Sequence, residues 1–119
     1  MSLADKLAGF KGLEEAKTAI MRMCGDEELY LEALKLSAEQ VPVIAGELDG
    51  QMAGNDMGGF AINIHGLKGA LNTIGACGYA DMADKLCKSA RAGDSSAVRA
   101  GWAELRPQLI EFAENIGTL

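Results

Sequence analysis

Little in this 119-residue chain is aromatic, basic or extended in character. Aromatic residues make up 5% of it, β-branched residues are sparse, and no segment alternates apolar and polar positions between hairpin turns, which argues against a β-sheet protein. Eleven Lys and Arg stand against 17 Asp and Glu, for a net charge of −6. Nucleic-acid binding needs clustered cations that displace counterions, so no nucleic-acid partner is expected. No apolar run approaches the roughly 18 residues of a membrane-crossing helix, and MSLADKLAGFKG has no basic segment leading into an apolar stretch, so neither a membrane span nor a secretory signal is expected. The three cysteines, Cys24, Cys77 and Cys87, are odd in number and far apart, unlike a secreted disulfide framework, and a reducing cytoplasm is the expected home. One histidine and scattered carboxylates make no metal-ligand set, and there is no glycine-rich nucleotide loop, so no bound metal or cofactor is expected.

Helical spacing, by contrast, is abundant. Val98, Trp102, Leu105, Leu109, Phe112 and Ile116 recur at intervals of four and three, with Asp94 or Ser95 as N-cap and Pro107 inside the pattern. A second stripe is Tyr79, Met82, Ala83, Leu86 and Ala90, and a third is Phe60, Ile64, Leu67, Leu71 and Ile74. A fourth, Tyr30, Leu34, Ser37, Val41, Ile44 and Leu48, follows an Asp26 cap and is expected to kink at Pro42. Leu13, Ala16, Ile20 and Met23 make a shorter amphipathic segment, and Leu3, Leu7 and Phe10 a small N-terminal helix. The Gly-rich DGQMAGNDMGG, residues 49–59, reads as a loop. Four long stripes with short connections predict an all-α chain forming an antiparallel four-helix bundle with one or two short additional N-terminal helices. Residues 1–119 form one domain on this reading, with the bundle core at about 26–116 and an N-terminal helical segment over 1–25.

The only histidine, His65, lies in AINIHGLKGALNTIGA on the third stripe. Each helical residue advances about 100° around the axis, which puts His65 roughly 140° from the centre of the apolar face and therefore in solvent. Ala61, Lys68, Gly69 and Asn72 fall in the same outward sector. A neutral imidazole nitrogen is a nucleophile. Lys68, one turn along, can neutralise an anionic group added to it, and Gly69 removes a side chain where a partner must come close. These three residues suit reversible phosphoryl transfer, which depends on positioning and charge stabilisation.

HGLKGA followed by the Ile74-Gly75-Ala76 triplet resembles the signature of the histidine-containing phosphotransfer (HPt) domains of two-component phosphorelays. ADMADKLCKSARAGD is similar to the next helix of that family, and the likeness covers roughly residues 26–116. The resemblance implies a four-helix bundle in which His65 is phosphorylated, Lys68 supports the phosphate and Gly69 allows close approach. It implies a phosphocarrier, without kinase activity of its own, that exchanges phosphate with aspartates of receiver domains, those receivers supplying Mg²⁺. Such a chain works as a monomer without membrane contact, free-standing or as a domain of a hybrid, membrane-anchored sensor kinase. Ala70 stands where many members have serine, and Cys87 where many have a polar residue facing the histidine. Arg91 matches a basic position and is a candidate phosphate contact. Lys85, Lys88 and Asn72 are further candidates for phosphate or partner contacts, and Leu29, Leu31 and Leu36 either cover the N-terminal segment or form a docking patch. The rival expectation is a non-catalytic helical interaction domain.

Overall fold

The apolar stripes become the buried faces of helices in a computed structural model that describes residues 2–119. Among the described residues the secondary structure is entirely helical: α1 (Leu3–Leu7), α2 (Ala16–Arg22), α3 (Glu27–Ala53), α4 (Met57–Thr73), α5 (Cys77–Arg91) and α6 (Ser95–Ile116). Asp26 accepts the Leu29 amide at 3.0 Å and Asp94 the Ala97 amide at 3.1 Å, so α3 and α6 begin at the expected caps. All six stripe residues of α6 are buried, as are Phe60, Ile64, Leu67 and Leu71 of α4. The helices α3 and α6 run unbroken through Pro42 and Pro107, both of which face solvent.

Consecutive long helices pack on one another, α6 returns to pack on α3, and all six helices contribute buried residues to one core. Trp102, Phe60 and Phe112 are its largest members beside Tyr30, and the Phe60 and Trp102 rings meet edge to face at 6.2 Å. The Tyr30 hydroxyl, whose pKa burial pushes up to about 12, donates to the Ile74 carbonyl at 2.6 Å. That bond ties the start of α3 to the end of α4 and satisfies a carbonyl that the helix leaves unpaired.

The expected loop over residues 49–59 is corrected by the structure. Helix α3 continues to Ala53 and α4 starts at Met57, which leaves only residues 54–56 between them. The cause is tertiary. Asp49 is held from α6 by Trp102 and Arg106, and the Arg99 guanidinium donates to the Met52 carbonyl at 2.9 Å. These contacts offset the poor helix propensity of Gly46 and Gly50.

Residues 2–25 pack against the long helices and bury Leu7, Leu13, Ala16, Ala19 and Ile20 in the same core. Gly12, at φ +97°, passes so close to Tyr79 and Phe112 that a Cβ there would stand 2.6 Å from the Tyr79 ring. Glu15 donates its amide to Gly75 O at 3.0 Å, which pins the N-terminal segment to the α4–α5 turn. No helix among the described residues is long and apolar enough to cross a membrane.

Candidate functional site

Helix α4 starts where the Asp56 carboxylate accepts the Gly59 amide at 2.9 Å, and its register follows from the buried faces of Phe60, Ile64, Leu67 and Leu71. That register turns His65 into solvent, and among the described residues no hydrogen bond reaches its imidazole. Ile62, 78% exposed, stands almost one turn before it. Gly66 and Gly69 follow on the exposed surface, and a Cβ added at either would meet nothing within 4 Å. Each glycine costs the helix about 1 kcal/mol relative to alanine, and no close packing inside the chain requires either one. Gly46 and Gly50 on α3 are equally open, so openness alone does not mark a site. Gly66 and Gly69 are distinguished by flanking the one imidazole.

On the other flank of His65 lies α5. It covers Ala61, which is 5% exposed and not outward as the helical wheel predicts, because α5 packs against the side of α4 as well as against its apolar stripe. The same packing half-buries Lys68. Its ammonium reaches Asp84 on α5 at 3.1 Å, and Asp84 also receives Lys88 from one turn along its own helix at 2.9 Å. The bonds from Lys88 and then Lys68 hold the Asp84 carboxyl below the usual carboxylate range.

The other candidate residues are distributed unevenly. Cys87 is 2% exposed and its thiol donates to the Ala61 carbonyl at 3.6 Å, so it is a packing residue between α4 and α5 rather than a contact for a group carried on exposed His65. Lys85 is turned about 100° from Asp84 and lines a depression of about 320 Å³ between α5 and α6, with Met82, Ser89 and Glu104, away from the α4–α5 seam. Lys88 is exposed and engaged with Asp84. Arg91 ends α5 in solvent, and Asn72 is exposed two turns after His65, its backbone carbonyl accepting from Arg22 at 3.4 Å. Leu29 and Leu36 are exposed and Leu31 is half-buried.

Comparison of the chain with protein-family models, with curated proteins and with solved structures finds no match.

Two residues beside His65 were not among the candidates. Asp84 carries one sequence signal, its spacing of four from Lys88, but its bond to Lys68 depends on how two helices pack. Ile62 was legible as an apolar residue off the stripe, three positions before His65. Chemically, an imidazole with open approach can attack an electrophile carried by another molecule, and an ammonium one turn along can neutralise anionic charge placed on it.

Proposed function

We propose that the chain is a phosphocarrier of the histidine phosphotransfer kind, in which His65 takes a phosphoryl group from an aspartyl phosphate of one receiver domain and passes it to an aspartate of another. The Nε2 lone pair of His65 forms the N–P bond while the O–P bond of the acyl phosphate breaks, and the electron pair leaves on the receiver carboxylate. The imidazole keeps its Nδ1 proton, and the return step reverses these changes on a second receiver. Lys68 neutralises part of the added charge, and Gly66 and Gly69 leave room for the receiver to bring its aspartate to the nitrogen. Mg²⁺ and the acidic pocket belong to the receiver. On this reading α3, α4, α5 and α6 form an antiparallel four-helix bundle, and α1 and α2 are the additional N-terminal helices.

The observation that carries the proposal is the exposed imidazole flanked by two open helical glycines, with a lysine one turn along. The test is incubation with a panel of receiver domains charged with radiolabelled acetyl phosphate. Acid-labile, base-stable label is expected on the parent chain and absent from His65→Gln. Label that persists in His65→Gln removes the site assignment.

The 78% exposure of Ile62 also favours a second reading, a helical domain that binds partners without carrying phosphate. A receiver that binds the chain, loses affinity with Ile62→Ser and never labels His65 would select it.

A further inference from the structure

The transfer chemistry just described uses no carboxylate of this chain, yet the only ammonium that α4 places one turn beyond His65 is already held by one. Lys68 and Asp84 have 27% and 32% of their side chains exposed and stand 3.1 Å apart across two helices. Resting on the phosphocarrier reading, we propose that Asp84 is a positioning residue that holds the Lys68 ammonium while His65 is free and yields it when His65 is charged. The carboxylate thereby competes with the phosphoryl group for one cation and keeps that group easy to pass on.

Three features support an exchange rather than a fixed brace. First, Lys88 also holds Asp84, at 2.9 Å, so when Lys68 leaves the carboxylate keeps a partner and exposure to water. Second, both cations are lysines, compact charges on flexible stems that can swing between two anions without the matched fork geometry of arginine. Third, a phosphoryl group carries nearly twice the charge of a carboxylate, which draws Lys68 across. Any stabilisation that Lys68 gives to the charged imidazole is reduced by what it gives up at Asp84. The phosphoryl group is therefore bound less deeply than Lys68 alone would hold it, and a carrier that must both accept and donate needs such a shallow position.

The competition can be read without a receiver. Phosphoramidate charges an imidazole as the new N–P bond forms, its own N–P bond breaks and ammonia leaves. At a fixed ratio of phosphoramidate to ammonia, the ratio of charged to free His65 measures how deeply the phosphoryl group is bound. Asp84→Asn is expected to raise this ratio roughly two- to five-fold, the range spanned by partly exposed ion pairs. Asp84→Glu is expected to restore the parental ratio, and Asp84→Asn in a Lys68→Ala background to change nothing. Charging the parent is also expected to move the NMR resonances of the Lys68 ammonium nitrogen and the Asp84 carboxyl carbon, a readout that needs no variant to fold. An unchanged ratio in Asp84→Asn, an equal rise in the Lys68→Ala background, or a Lys68 resonance blind to charging would each overturn the proposal while leaving the phosphocarrier reading standing. A parent chain that never takes phosphate on His65 removes both.

Discussion

Among the described residues two carboxylates, Asp49 and Asp84, form ion pairs between helices, and they are built differently. Asp49 on α3 receives the Trp102 indole N–H at 2.8 Å and a forked Arg106, whose Nε and Nη2 reach Oδ2 at 2.9 and 2.8 Å. Asp84 on α5 receives two separate lysines, one from α4 and one from its own helix. An indole locked in the core and a planar guanidinium define one geometry, whereas two lysine ammoniums allow several. The first hub therefore acts as a clamp between α3 and α6, and the second as an adjustable contact beside the only histidine. A carboxylate shared by two side-chain donors is not one motif; what donates to it decides whether it fixes structure or leaves charge free to move.

The largest consequence of this contrast lies in stability. Asp49→Ala leaves the Trp102 N–H and the Arg106 fork without their acceptor, and thermal or urea unfolding is expected to record a loss of about 2 kcal/mol with labelling of His65 unaffected. Asp84→Asn is expected to leave the melting temperature near the parental value. If both variants unfold together, or neither does, the distinction between clamp and adjustable contact is lost.

Glycines sharpen the same division. A Cβ at Gly101 on α6 would run into Leu86, so Gly101→Ala is expected to cost about 1–3 kcal/mol in chemical denaturation. Gly66→Ala and Gly69→Ala, whose added methyl groups meet nothing, are expected to stabilise the fold by up to about 1 kcal/mol each while slowing transfer from a charged receiver. Stabilisation with transfer at the parental rate would show that neither glycine serves close approach. Tyr30→Phe, which removes the bond to Ile74 at the end of α4, is expected to cost about 1 kcal/mol without changing the label on His65.

The smallest effect concerns pH. Both aspartates are held below the usual carboxylate value, Asp49 chiefly by its bond from Arg106 and Asp84 by those from Lys88 and Lys68. A carboxyl depressed in the folded state stabilises the fold above its unfolded value of about 4, and the contribution disappears as pH falls through the lower folded value. Melting temperatures of the parent are expected to fall through that acid range, and those of Asp49→Asn to fall less steeply. Equal slopes would show that the Asp49 bonds contribute little to acid sensitivity.

Much of this arrangement was legible in the sequence because it is periodic. The stripes of α4 and α6, the caps at Asp26 and Asp94 and the solvent exposure of His65 follow from counting residues around a helix axis, and each has its counterpart in the structure. Contacts between helices were not legible. Residues 49–53 read as loop because they belong to the Gly-rich stretch 49–59, whereas in the structure Arg106, Trp102 and Arg99 of α6 bond to Asp49 and Met52 and support a helix there. The burial of Ala61 and Cys87 and the engagement of Lys68 likewise depend on where α5 lies against α4. A helical wheel fixes direction around one axis and carries no information about which neighbour fills it.

The most direct test of the central claim is phosphorus NMR of the chain after incubation with a charged receiver. A single phosphorus resonance with the shift of an N–P bond, present in the parent and in Cys87→Ser and missing in His65→Gln, is the predicted result. An N–P resonance that survives His65→Gln, or a parent chain that gives none while the receiver discharges to free phosphate, would contradict it.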